Sequence, residues 1–141
     1  MKLSPETARA RLAVEVHGVL ATLHPERGPD PQPVVYAVSD EHIGVPIDSV
    51  KPKSATRLRR EDNLDADPRA SLLIEHWDPA EWSRLWWVRA QLHHETDPPQ
   101  RLLDDLADRL AGTVPQYKDK PFHRILVCRI VAITGWAACE D

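Results

Sequence analysis

The sequence predicts a mainly β domain: six antiparallel strands forming a closed or nearly closed barrel, with three short helices at its periphery. Six apolar segments of strand length are bounded by turn residues. Three other stretches carry helix signals. The 141 residues contain no internal repeat, low-complexity segment or dividing linker, so residues 1–141 read as one domain. Closure is expected because it removes exposed strand edges.

Taken in order, the first element is a helix. Ser4 is its N-cap, Pro5 suits the first helical position, and Ala8, Leu12 and Val16 share one face up to Gly18. GVLATLH (18–24), the turn Pro25-Glu26-Arg27-Gly28, QPVVYAV (32–38), Ser39-Asp40-Glu41 and HIGVPID (42–48) read as a meander of three strands. Pro46 inside a strand implies an edge or a bulge. From Ser54 the chain reads as a short helix with one buried edge, ended by Asp67-Pro68. ASLLIEHW (70–77) and RLWWVRAQLHH (84–94) are two strands joined around Asp78-Pro79. Asp97-Pro98 opens a third helix, with Leu102, Leu103, Leu106 and Leu110 in one stripe before Gly112. After the polar loop VPQYKDKP comes the last strand, 122–136.

Composition narrows the function classes. With 42% hydrophobic and 28% charged residues the chain reads as an ordinary soluble globular protein. A formal charge of −4 argues against a general nucleic-acid binder, which needs excess cations for phosphates. Cys128 and Cys139 are too few for a disulfide framework, which points to a reducing cytoplasm. The charged N-terminus lacks the apolar core of a signal peptide, and no apolar run is long enough to cross a bilayer, so no membrane association is expected.

The basic segment carries the most chemical information. Lys51, Lys53, Arg57, Arg59 and Arg60 fall within ten residues of an acidic chain. If 54–62 is helical, Lys53, Arg57 and Arg60 lie along one side, with Ser54 and Thr56 near the helix start, where free N–H groups favour an anion. Together they make a phosphate seat. On composition alone, a solvated face balanced by Glu61, Asp62, Asp65 and Asp67 explains the segment better. Five tryptophans, four of them within 77–87, are many for this length. Trp86 and Trp87 are neighbours on a strand and face opposite sides. For each one singly core packing is the first reading, and stacking on a planar ring or an interface is the second. His93 and His94 cannot reach one ion from a single face, and no zinc or P-loop spacing is present, so no metal is expected. With five glycines, a glycine-rich nucleotide loop is nearly excluded.

The stretch GVLATLHPERGPDPQPVVYAV, the Lys-Pro-Lys segment, TRLRREDNLDADPRASLLIEHW and WSRLWWVRA resemble the pyridoxamine-phosphate-oxidase-like split β-barrels over nearly the whole chain. With the terminal TGWAA, they look most like the actinobacterial branch that uses coenzyme F420, a deazaflavin. The resemblance implies a homodimer with two cofactor sites at its interface. It places the cofactor phosphate near Lys51, Lys53, Ser54, Thr56 and Arg57, and the ring along Val34, Tyr36, Ile47 and Asp48. Trp82 and Trp87 of the second subunit would close the site. After Val88 the sequence departs from the family pattern at Arg89–His94, close to where substrate would sit.

The function so implied is hydride transfer from reduced coenzyme F420 to an electron-poor C=C bond of an enone or quinone-like substrate. Tyr36, His76 and water stand as possible proton donors. The alternatives are an FMN-dependent oxidase or reductase on the same barrel, or a non-catalytic carrier of flavin, deazaflavin or haem. Five cations exceed the needs of one phosphate, and this favours the polyanionic tail of the deazaflavin over FMN, with Arg60, farther along the helix, expected to bind mainly that tail.

Overall fold

The structure, a computed structural model, describes residues 1–48 and 58–139. Among these, seven strands form one antiparallel sheet in the order β2-β1-β5-β6-β7-β4-β3. They are β1 (His17–His24), β2 (Gly28–Val35), β3 (Ala37–Ser39), β4 (His42–Asp48), β5 (Arg69–His76), β6 (Trp86–Glu95) and β7 (Phe122–Ala137). The helices are α1 (Pro5–Val14), α2 (Arg59–Ala66) and α3 (Gln100–Thr113). No described helix is long and apolar enough to cross a membrane.

The two ends of this order, β2 and β3, are consecutive in the chain and separated by Tyr36 alone. In a flat sheet six strand spacings would hold them roughly 29 Å apart. One intervening residue spans only about 7 Å, so the sheet must roll. The strand expected over 32–38 is thus two strands meeting at Tyr36, one paired with β1 and the other with β4. Seven strands replace the expected six, and β2 and β4 share no ladder.

Ser4 caps α1 by accepting the Thr7 N–H at 3.1 Å, and Ala8 and Leu12 are fully buried on its inner face. The helix stops at Val14, earlier than the apolar spacing predicts, so Val16 lies outside it and Gly18 belongs to β1. Gly18 serves a close approach instead: a Cβ there would sit 2.9 Å from the Leu73 carbonyl oxygen and from Ile74 Cγ2. Within the described residues α2 begins at Arg59 behind an extended Leu58, and the rest of the helix expected from Ser54 falls outside them. α3 begins at Gln100 with Pro99 as its N-cap, so Asp97 does not cap it. Its Leu106 and Leu110 are buried and pack with Ala37, Tyr117 and Val127 in a satellite of the main core. That main core fills the rolled sheet with Leu20, Tyr36, Ile47, Leu72, Val88 and their neighbours.

His94 sits near the end of β6 opposite Cys128, and its buried Nδ1 has no partner among the described residues. Burial lowers its pKa below 6.5, partly offset by Asp65 and Glu95.

Two outcomes follow from this packing. Gly18→Ala is expected to lose about 1–3 kcal/mol through overpacking against β5, read as a lower urea midpoint. For His94 the unfolded chain binds the proton more readily than the folded one, so stability falls as pH drops below about 6.5. Urea midpoints at pH 7.5 and 5.5 should therefore diverge less in His94→Gln than in the wild type. Equal divergence would remove His94 as the cause.

Candidate functional site

β2 reads Gly-Pro-Asp-Pro-Gln-Pro-Val-Val, with Pro29, Pro31 and Pro33 at alternate positions. Alternate residues of a strand direct their backbone groups to one edge, and proline has no N–H. β2 keeps its full ladder to β1, so the donor-free edge is the one facing away from β1. Across the gap, β4 pairs with β3 only as far as Gly44, and Pro46 beyond it again lacks a donor. A bulge at Ile47/Asp48 follows, so the edge and the bulge predicted by Pro46 are both present. The two edges do not join, and the seam holds a cleft of about 320 Å³. Pro33, Val34 and Val35 line it from β2, and Val45, Pro46 and Asp48 from β4. Leu58 and Arg60 enter from the start of α2, and Tyr117 from the turn before β7.

α2 is anchored by a carboxylate. Glu61, 5% exposed, takes Arg124 through Nε at 2.7 Å and through a terminal nitrogen at 3.0 Å. The same carboxylate accepts the Leu58 N–H at 2.8 Å, half of a capping box. With Glu61 turned toward β7, Arg60 faces the cleft. It donates to Gln32 Oε1 at 3.0 Å, and its buried Nε has no partner among the described residues. Burial lowers the guanidinium pKa, with Glu61 and Asp48 acting against the shift. Arginine nevertheless keeps its charge and its donors. Tyr117, also buried, donates its hydroxyl to Asp48, and burial together with that carboxylate raises the phenol pKa.

Of the residues expected around the cofactor, Val34, Asp48 and Arg60 meet at this cleft. Ile47 points into the core and is fully buried. Tyr36 is also a core residue, its hydroxyl donating to the Leu12 carbonyl at 2.6 Å, so it is no free proton donor. Trp82 is exposed and Trp87 lies on the outer sheet face beside Arg89; neither lines this cleft. His76 stacks on Trp86, which also carries the Arg11 guanidinium 4.9 Å from its ring centre. Lys51, Lys53, Ser54, Thr56 and Arg57 lie outside the described residues, directly after Asp48. Arg60 is half-buried beside Gln32 rather than displayed on an open groove, as a tail-binding role would need. Tyr117 and Gln32 escaped sequence reasoning. Tyr117 sits in a polar loop, where a single aromatic is the whole signal.

A larger groove of about 500 Å³ lies between the β3–β4 turn and α3, but its Ser39, Asp105 and Arg109 are bonded to one another. Among the described residues no three His, Cys, Asp or Glu side chains are grouped to hold a metal.

Comparison with known proteins bears on this geometry. No curated protein matches the sequence. A conserved hypothetical protein of Mycobacterium tuberculosis is similar in structure, with a TM-score of 0.73 at 21% identity, covering 96% of this chain and 86% of its own. An FAD-binding protein of Mesorhizobium loti superposes with a TM-score of 0.69 at 19% identity, over 96% and 93% of the two chains. A haem storage protein of Vibrio cholerae gives 0.64 at 15% identity, over 94% of each. At these identities the likeness establishes the fold. Residues 4–137 match the family described as pyridoxamine 5'-phosphate oxidase, which covers the seam, its cleft and all seven strands. The chain belongs to that family.

Proposed function

We propose that this protein is a flavin-dependent oxidoreductase that holds FMN in the seam cleft, working as a homodimeric split barrel in a reducing cytoplasm. The observation that carries the reading is the buried Nε–H of Arg60, without a partner among the described residues, in a cleft that sets His17, Asp48 and Tyr117 beside apolar Pro and Val side chains. A buried donor without an acceptor is costly, and a ligand oxygen relieves that cost. Flavins offer such oxygens on both ring and phosphate. FMN, when bound, supplies the hydride and electron transfer. The chain's residues bind and orient it: Pro33, Val34, Val45 and Pro46 offer flat apolar walls that exclude water, and Arg60 donates a charged hydrogen bond. Lys51, Lys53 and Arg57, with the hydroxyls of Ser54 and Thr56, are assigned to the phosphate. The apolar walls favour a planar, electron-poor acceptor over a small polar one.

FMN displaces coenzyme F420 as the preferred cofactor. The deazaflavin reading relied on an exposed run of cations, and Arg60 is turned inward. The pyridoxamine 5'-phosphate oxidase match and the relative named for FAD binding both support an ordinary flavin.

About 320 Å³ is at the small end of ligand clefts, which run roughly 300–1,000 Å³, so a second subunit is assigned the remaining wall. The outer face of β1, β5, β6 and β7 suits that contact. Val19 and Leu73 are cross-strand neighbours at 37% and 40% exposure, and Trp87 and Trp136 form the next pair along the sheet. Trp82 and Trp87 would then close the partner's cleft.

Titration of the purified protein should give tighter binding of FMN than of deazaflavin or haem. Arg60→Ala should weaken FMN by about 2 kcal/mol, roughly 30-fold. Stronger binding of the deazaflavin would reverse the cofactor assignment, and bound flavin that no acceptor reoxidises would make the protein a carrier. Light scattering should give twice the chain mass. Leu73→Lys should shift the protein toward monomer by about 2 kcal/mol or more and weaken FMN with it. A wild-type monomer that binds FMN tightly would refute the shared site.

A further inference from the structure

Reduction of a conjugated C=C bond consumes a proton as well as a hydride, and that proton comes from a side chain or from water. The two side chains considered for this in the sequence are not available at the cleft. Tyr36 gives its hydroxyl to the Leu12 carbonyl, and His76 stacks on Trp86 outside the cleft lining. Among the described residues, four other titratable side chains line the cleft: His17, Asp48, Arg60 and Tyr117. Arginine keeps its protons. Tyr117 has its hydroxyl on Asp48, which accepts it, and burial with that carboxylate raises the phenol pKa. Histidine is the side-chain type that gains and loses a proton near neutral pH.

His17 opens β1 and pairs with Val35, part of the β2 wall of the cleft. Strand alternation sets its side chain with that of Val19 on the outer face, while Gly18 and Leu20 turn to the core. His17 thus stands where the cleft meets the outer face assigned to the second subunit. Its backbone is held from both sides. The Tyr36 N–H donates to the Val16 carbonyl at 3.0 Å, and Gly18 lies so close to β5 that a Cβ would meet the Leu73 carbonyl oxygen at 2.9 Å. The imidazole is exposed and makes no hydrogen bond or ion pair to a described residue. Asp48, Arg60 and Tyr117 share the cleft with it, and Glu75 of β5 stands opposite when the Val19↔Leu73 register is continued by two residues.

We infer that His17 is the proton donor of the seam cleft, serving an enone that accepts hydride there; this rests on the flavin reading above. Hydride from the reduced flavin arrives at the β-carbon of the enone, and the C=C electron pair shifts toward the carbonyl to give an enolate. The imidazolium N–H then passes its proton to the α-carbon, leaving a saturated ketone and a neutral imidazole. Exposure at the mouth of the cleft lets solvent restore the lost proton.

The test uses the full chain loaded with FMN, reduced with dithionite without oxygen and mixed with cyclohexenone. Flavin reoxidation should be about 100-fold slower in His17→Ala, the usual range for a lost general acid. FMN affinity should stay within about threefold, as for other exposed substitutions. Added imidazole should speed His17→Ala at least about tenfold, which a merely structural role does not allow. His17→Gln still donates a hydrogen bond but has no acidic proton, so it should be as slow as His17→Ala. In the oxidised, FMN-loaded wild type, the ring NMR signals of His17 should shift when cyclohexenone is added. Wild-type rates in either variant, no rescue by imidazole, or unmoved His17 signals overturn the inference and leave the flavin reading intact. A wild type that binds no FMN refutes the flavin reading itself. One that binds FMN yet leaves cyclohexenone unreduced gives His17 no enolate to protonate, and refutes the assignment alone.

Discussion

Three prolines on one edge of β2 and one in β4 leave the seam of the rolled sheet without the donors a ladder needs. That missing set of N–H groups is the constraint on which the candidate site depends. Were Pro29, Pro31, Pro33 and Pro46 ordinary residues, β2 and β4 could approach to strand spacing, about 4.8 Å, and close the sheet. The seam instead stays open as a cleft lined by both apolar and charged side chains. A donor-free edge also resists pairing with another chain, so the same residues that open the cleft protect it.

An open seam needs something to hold its flank, and α2 does this through Glu61. The carboxylate bridges the first turn of the helix to Arg124 on β7, the strand that carries β4. Asn63, two residues farther on, donates to Thr22 of β1 at 2.9 Å and to Asp30 of β2 at 3.1 Å. α2 is thus tied to strands on both sides of the seam by buried polar contacts, which demand defined geometry because unmet groups are expensive there. The orientation of Arg60 follows from these ties. Flanked by the anchored Glu61 and Leu58, its side chain is directed at Gln32 and the cleft. Arg59, turned the other way, reaches His24 at 3.2 Å on the exposed side.

Local signals were legible where a residue's own chemistry decides its conformation. Ser4 and Pro5 open α1 as read, Gly28 with φ of 80° ends the first hairpin turn, and Leu106 and Leu110 face inward from α3. Legibility failed where a neighbour distant in sequence decides. Val16 continues the spacing of Ala8 and Leu12, yet the helix yields to β1 because Gly18 must pass beneath the Leu73 carbonyl. Tyr36 reads as one more residue of a strand, but its backbone is the point where the rolled sheet changes ladders, and its phenol is consumed by Leu12. Of the residues lining the cleft, the family pattern had singled out Val34 and Asp48, and the basic segment Arg60. Tyr117 was not legible, since 69 residues separate it from Asp48.

By itself the sequence determined the class of fold and the chemistry available: alternation sets the strands, caps and prolines set the breaks, and the residue types supply a cation, a carboxylate and apolar walls. Those are properties of single residues and short windows, which a linear reading contains. Tertiary structure alone decided which of these groups face one another. Rolling the sheet brought β2 against β4, turned Arg60 toward the seam, and set Tyr117 against Asp48. Such pairings depend on where distant strands meet in space, and loop closure over tens of residues leaves no periodicity in the chain to record them.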